Sequence, residues 1–163
     1  MAQVHLSLGS NIGDRLANLR RAIEVLAPAI TVQKTSRVYE SEPHKALPQG
    51  LFYNIAIAGE TQLSPHDLFA KLKSIEQQIG RSEAPRNAPR EIDIDILFYD
   101  DLILDTPELT IPHPRLHERA FVLVPLEEIA RFVEHPKLNM PIIELWDALG
   151  ANADLIWEAE EQL

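Results

Sequence analysis

APREIDIDILFYD, residues 88–100, places two carboxylates, Asp93 and Asp95, inside an otherwise apolar run. Ile92, Ile94 and Ile96 alternate with them. Successive side chains of a strand point to opposite faces, so this spacing predicts a strand over Ile92–Tyr99 with the isoleucines on one face and the aspartates on the other. The aspartate Cα atoms would lie about 7 Å apart, two strand rises. Bare carboxylates at that distance repel by roughly 0.6 kcal/mol in water and about 2 kcal/mol at a partly buried site. A divalent cation between them would convert that cost into a binding site. Taken alone, the pair also suits the solvated face of a half-buried strand. However, Asp is depleted in strands, and Arg90 lies just upstream.

The rest of the fold is built outward from this strand. Val4, Leu6 and Leu8 alternate with His5 and Ser7 in a first strand, Gln3–Leu8. A turn at Gly9-Ser10-Asn11-Ile12-Gly13 leads to Asp14 as N-cap and a helix carrying Leu16, Leu19, Ile23 and Leu26, closed by Pro28. Ile30–Tyr39 and Phe52–Thr61 read as strands. Ser64, Pro65 and Asp67 start a second helix, Leu68, Leu72, Ile75 and Ile79 form its stripe, and Gly80 stops it. The order β-α-β-β-α-β predicts an α+β, ferredoxin-like core with an antiparallel sheet and both helices on one face. C-terminal additions follow. Short strands are expected at Leu102–Leu104 and Leu109–Ile111, and short helices near Leu123–Arg131 and Ile142–Leu149. The acidic tail after Ala153, with Asp154, Glu158, Glu160 and Glu161, reads as a solvated helix end or a frayed terminus.

Length and composition restrict the function. The 163 residues suit a single domain, 1–163, and 45% hydrophobic content supports a sizeable core. No 18-residue apolar run is present, and the first residues lack a signal-peptide pattern, so no membrane association and a cytoplasmic location are expected. With no cysteines, thiolate chemistry and disulfides are excluded. A net charge of −10 argues against nucleic acid as a partner. It leaves room for an anionic small molecule held in a local positive cleft, for which Arg81, Arg86, Arg90, Arg115 and Arg119 are candidates.

Three further constellations stand out, each with a plainer reading beside it. The Gly9–Asp14 turn could offer backbone N–H groups to an anion, or be a tight structural turn. Thr110 through Phe121 (TIPHPRLHERAF) concentrates histidine and arginine that suit phosphates, or is a His-Pro surface loop. Phe52-Tyr53-Asn54 could stack on and hydrogen-bond a flat heterocycle, or be a core aromatic beside a turn asparagine. The helical register puts Glu76 on the solvent side of the second helix.

With these residues in view, the chain resembles the 6-hydroxymethyl-7,8-dihydropterin pyrophosphokinase family from its first strand to about Ile129. Four motifs carry the resemblance: Gly9-Ser10-Asn11, Phe52-Tyr53-Asn54, Pro89-Arg90 with Asp93-Ile94-Asp95, and Pro112-His113 through Arg119-Ala120-Phe121. The resemblance implies transfer of the β,γ-diphosphoryl group of ATP to the pterin hydroxymethyl oxygen, releasing AMP, in folate biosynthesis. It implies two Mg²⁺ ions held by Asp93 and Asp95, with Arg81 and Arg90 clamping phosphates. It places Glu76, Ile96, Thr110, His113 and Arg119 at the nucleotide. Ser41, Pro43, His44, Phe52, Asn54, Asp93 and Phe121 fall at the pterin, with the two phenylalanines sandwiching the ring. A monomer is the family expectation. The chain departs from the family pattern at Asn87-Ala88, where many members have Trp-Gly, at Lys45 in place of a frequent glycine, and at Pro114 in place of a frequent tyrosine. The loop Ser82–Pro89 is one residue shorter than in some relatives. None of these removes an expected metal ligand. Two rivals of other classes remain, a non-catalytic ligand-binding module on the same fold and a metal-dependent phosphohydrolase.

Overall fold

The computed structural model describes residues 1–42, 50–80, 91–150 and 155–163. Along the chain these form β1 (Ala2–Ser10), α1 (Arg15–Leu26), β2 (Thr31–Thr35), β3 (Tyr39–Ser41), β4 (Phe52–Thr61), α2 (Pro65–Ile79) and β5 (Asp93–Tyr99). There follow β6 (Leu104–Asp105), β7 (Thr110–Ile111), a 3-10 turn (Leu116–Glu118), α3 (Ala120–Ala130), β8 (Glu134–His135), β9 (Met140–Pro141), α4 (Ile142–Leu149) and β10 (Ile156–Glu158). The main sheet runs β10-β3-β4-β1-β5, with β2 also paired to β4, and its pairings are antiparallel. This is the expected ferredoxin-like α+β arrangement.

The helix signals act as their chemistry requires. Asp14 accepts the N–H of Ala17 at 3.1 Å and starts α1. Ser64 accepts that of Asp67 at 3.2 Å, Pro65 begins α2, and Gly80 ends it in the left-handed region at φ 111°. Both helices pack on one face of the sheet, where Leu19, Leu26, Leu68, Leu72 and Ile75 meet Val4, Leu6, Leu8, Ile55, Ile57, Ile94 and Ile96. On the opposite face, α3 and α4 cover Ala56, Leu97 and Phe98 in a second apolar cluster. Among the described residues, no helix is long and apolar enough to cross a membrane.

Three expectations are corrected. The strand expected over Ile30–Tyr39 is two strands, because the Ser36 hydroxyl accepts the Ala56 N–H at 2.9 Å where a strand carbonyl would otherwise do so. The helix expected near Leu123 starts at Ala120. The acidic tail forms β10 against β3 rather than a frayed end, with Ala159 buried in the helix-side core. Asp154, part of that tail, lies outside the described residues.

The alternation along β5 changes partway. Leu6 pairs with Ile96 but His5 pairs with Phe98, which leaves Leu97 as an extra residue. Such a bulge turns the strand over. Before it, the isoleucines face the helices and the aspartates face away. After it, Leu97 and Phe98 both enter the second cluster.

Candidate active site

The site is built on the sheet face opposite α1 and α2. Asp95 is paired with Ser7, and Asp93 with Gly9. Gly9 is paired on its other side with Asn54. Three residues of neighbouring strands therefore line one row, Asp93, Gly9 and Asn54, on one face. Two strand spacings separate the outer pair by about 10 Å. Gly9 matters because it has no side chain. A Cβ there would lie 3.4 Å from Asn54 Oδ1 and 3.5 Å from the Phe52 ring, in the space between the amide and the aspartates.

The outer edge of β5 carries the next groups. Sheet edges leave N–H and C=O groups unpaired unless something caps them. Here Glu76 Oε2 accepts the Ile94 N–H at 3.0 Å, and the His113 N–H donates to the Leu97 carbonyl at 3.1 Å. The bulge thus offers the carbonyl that ties His113 beside the aspartates. Glu76, expected on the solvent side of α2, is fully buried, 0% exposed. Its position at the end of the apolar stripe carries it over the sheet edge, where Lys73 Nζ meets its Oε1 at 2.9 Å.

Burial first, and neighbouring charge second, sets the acidities of the site. Burial pushes the Asp95 carboxyl up to about 7, and the neighbouring Asp93 adds to it while Lys73 opposes it. Burial also raises Glu76, against the pull of Lys73 and with the push of Asp93. Burial, helped by Arg119, lowers His113 to about 4, so the ring is neutral at neutral pH. Its Nδ1 accepts the Arg115 N–H at 3.2 Å, which leaves the proton on Nε2 as a donor. His113 is therefore a neutral hydrogen-bonding group. A carboxyl pKa raised by burial and by a neighbouring carboxylate, as at Asp95, marks an oxygen group short of positive charge.

The other end of the row is polar and aromatic. Asn54, 2% exposed, donates from Nδ2 to Ser41 Oγ at 2.8 Å, with a longer contact to the Tyr39 carbonyl at 3.4 Å. Its Oδ1 is the acceptor left for a ligand. Phe52 lies beside Gly9, and Phe121 stands in the first turn of α3 with the Arg119 guanidinium 5.6 Å from its ring centroid.

Other expected residues sort differently. Ile96 is buried in the helix-side core, so only its main chain is open to a nucleotide. Thr110 lies on β7, half-buried. Arg115 is exposed and paired with Glu118 at 3.2 Å. In the Gly9–Asp14 turn, Gly9 and Ser10 still belong to β1, and Asn18 ties Ser10 Oγ and the Ile12 carbonyl together. That favours the structural reading of the turn. Arg81, Arg86, Arg90, Pro43, His44, Lys45, Asn87 and Ala88 lie outside the described residues. Lys73 escaped the sequence reading, although its i,i+3 spacing to Glu76 was visible once Glu76 had a role. Among the described residues, no group of three or more His, Asp or Glu converges as metal ligands. Two carboxylates with substrate phosphates and water are nevertheless a donor set that Mg²⁺ accepts.

A carboxylate pair on the sheet face away from α1 and α2, rimmed by Lys73, Arg119 and a neutral histidine donor, is the layout of a phosphoryl-transfer enzyme. The chain matches the family model of 7,8-dihydro-6-hydroxymethylpterin-pyrophosphokinase over residues 5–131. It is 44% identical over 144 residues to the 2-amino-4-hydroxy-6-hydroxymethyldihydropteridine pyrophosphokinase of Aquifex aeolicus, covering 88% of this chain and 90% of that one. To the protein of the same name from Bacillus subtilis it is 42% identical over 132 residues, 80% of this chain and 79% of that one. It is 46% identical over 137 residues to the folic acid synthesis protein FOL1 of Dictyostelium discoideum, 84% of this chain but only 21% of that protein. The wild-type HPPK-DHPS of Plasmodium falciparum, solved with STZ-DHP, shares the fold at a TM-score of 0.73 and 16% identity, over 90% of this chain and 43% of that chain. The chain belongs to the 7,8-dihydro-6-hydroxymethylpterin-pyrophosphokinase family. The family's chemistry is pyrophosphoryl transfer to a hydroxymethyldihydropterin in folate synthesis.

Proposed function

We propose that this chain transfers the β,γ-diphosphoryl group of ATP to the hydroxymethyl oxygen of 6-hydroxymethyl-7,8-dihydropterin, releasing AMP, as a Mg²⁺-dependent monomer in the cytoplasm. The observation that carries the reading is the row Asp93–Gly9–Asn54, which sets a carboxylate pair and a heterocycle-reading amide at opposite ends of one row on a single sheet face. Asp93 and Asp95 would hold two Mg²⁺ ions, which when bound neutralise phosphate charge as Lewis acids. The protein's own residues bind and orient. Asn54 Oδ1 accepts from the pterin edge, and Phe52 and Phe121 stack on the ring, each aromatic pair adding about 0.5–1.5 kcal/mol beyond burial. Arg119, with Arg81 and Arg90, opposes the charge that develops on the transferring group. His113 donates from Nε2 as a neutral ring, and Lys73 and Glu76 fix the field at the edge of β5. Ser41 would meet the pterin, a role the resemblance also gives to Pro43 and His44, and the Ile96 main chain and Thr110 would meet the nucleotide. Transfer of this kind depends on positioning and charge neutralisation more than on covalent chemistry by the protein.

The test is direct. Purified protein with ATP, Mg²⁺ and the pterin alcohol should form AMP and the pterin diphosphate, and omission of Mg²⁺ should stop it. AMP released without pterin would assign a phosphohydrolase. Tight binding of ATP and pterin with no AMP would assign a binding module.

A further inference from the structure

We infer that the last described segment, Leu155–Gln162, is a positioning element for the Asn54 amide, acting through β3. The amide's direction is set by β3, because Nδ2 donates to Ser41 Oγ and reaches the Tyr39 carbonyl, both on that strand. Yet β3 has only three residues, at the short end of the strand range. Pairing with β4 covers one side of it, and without the last segment its other side would be a sheet edge.

That segment closes the edge along its whole length. β10 pairs Ile156, Trp157 and Glu158 with Ser41, Glu40 and Tyr39. The Glu42 N–H donates to the Leu155 carbonyl at 3.3 Å, and the Ala159 N–H donates to the Val38 carbonyl at 2.9 Å. Gln162 continues the ladder with its side chain. Its Oε1 accepts the Val38 N–H at 2.7 Å, and its Nε2 donates to the Val38 carbonyl at 3.0 Å. Side chains on the α1 face of these strands add cross-ties. Trp157 Nε1 donates to Glu40 Oε1 at 3.0 Å, Arg15 holds Glu40 Oε2 at 2.9 Å, and the Tyr53 hydroxyl donates to Glu161 Oε1 at 3.0 Å. Glu40 precedes Ser41, and Tyr53 precedes Asn54, so the ties flank the two residues whose hydrogen bond orients the amide. The segment lies beyond residues 5–131, where the family match ends.

The inference rests on the reading that Asn54 meets the pterin, and the test separates the two. Gln162→Ala, Asn54→Ala and the double variant are compared for pterin dissociation constant, ATP KM, kcat and urea midpoint. Gln162→Ala should weaken pterin binding about fivefold to tenfold, the scale of one or two hydrogen bonds. Its ATP KM and its kcat at saturating pterin should stay within about twofold. In the Asn54→Ala background it should cost no further pterin affinity, since the group it positions is gone. Lower stability with unchanged pterin affinity, or additive effects in the double variant, would overturn the inference and leave the Asn54 reading intact. Unchanged pterin affinity in Asn54→Ala alone would overturn that reading and this inference with it. If Gln162→Ala does not fold, Trp157→Phe removes only the tie to Glu40. It should show the same selective loss in smaller measure, and its absence would overturn the inference.

Discussion

Glu76 Oε2 accepts the main-chain N–H of Ile94 at 3.0 Å, so a buried carboxylate of α2 is fastened to the residue between the two aspartates. Glu76→Ala would leave that N–H and the Lys73 ammonium without their partner. A loss of about 1–3 kcal/mol in unfolding free energy is expected. Glu76→Gln keeps an acceptor for Ile94 and should lose less. Urea unfolding of both variants measures the difference, and equal losses would contradict the role of the Ile94 bond.

Asp95→Asn should separate stability from activity. It removes a repulsion of about 2 kcal/mol between carboxylates roughly 7 Å apart. At pH 9, above the Asp95 value of about 7, the metal-free variant should be at least as stable as the parent. Transfer should fall at least about 100-fold, roughly 3 kcal/mol of transition-state stabilisation. Denaturant curves and AMP formation give the two readings, and a variant destabilised but active would oppose both.

Arg119→Ala and Phe121→Ala should divide between turnover and binding. Arg119 bears on the charge of the transferring group, so its loss should lower kcat by about tenfold to 100-fold. Phe121→Ala should instead raise the pterin KM, with kcat changed by less than about threefold. Steady-state kinetics with pterin varied at saturating ATP would decide. Equal effects of the two on pterin affinity contradict the assignment.

His5 should make the fold acid-sensitive. Burial, then Lys34, lowers it to about 4, and its ring packs edge-on against Phe98 at 5.8 Å. Below its ordinary value of 6.5 the unfolded chain takes up a proton that the folded chain refuses. Stability from His5 is therefore full above 6.5 and is lost as pH falls toward about 4, by roughly 2 kcal/mol at pH 5. Asp95 acts with the opposite sign, because its raised carboxyl lets the folded chain bind a proton first. Comparing variants isolates His5. The fall in urea stability from pH 7.5 to pH 5 should be about 2 kcal/mol smaller in His5→Gln than in the parent.

The sequence was most legible where one signal acts locally. Asp14, Ser64, Pro65 and Gly80 define helix ends by hydrogen bonds within a turn, and the alternation at Asp93–Ile96 reports its own faces. It was least legible where a role depends on strands distant in the chain. Glu76 looks exposed in its own helix, and only the edge of β5 makes it buried. Gly9 reads as a turn residue until β4 and β5 arrive on either side of it. The acidic tail has no apolar alternation to mark a strand, because its partner is a three-residue strand and much of the pairing is made by side chains such as Gln162. The neutrality of His113 follows from burial and from Arg119, neither of which its neighbours in sequence reveal.

The single extra residue at Leu97 sets which side chains share a face on either side of it. A ladder that kept Leu97 but had no bulge would put Leu97 and Phe98 on opposite faces, so either Asp93 and Asp95 would turn toward the helices or Phe98 would leave its cluster. The face that carries the aspartates is thus divided along the strand, ligand-facing before the joint and core after it. Substitutions of Asp93 and Asp95 are felt by the ligands, and those of Leu97 and Phe98 by the thermometer, so two stretches of one face answer to separate constraints.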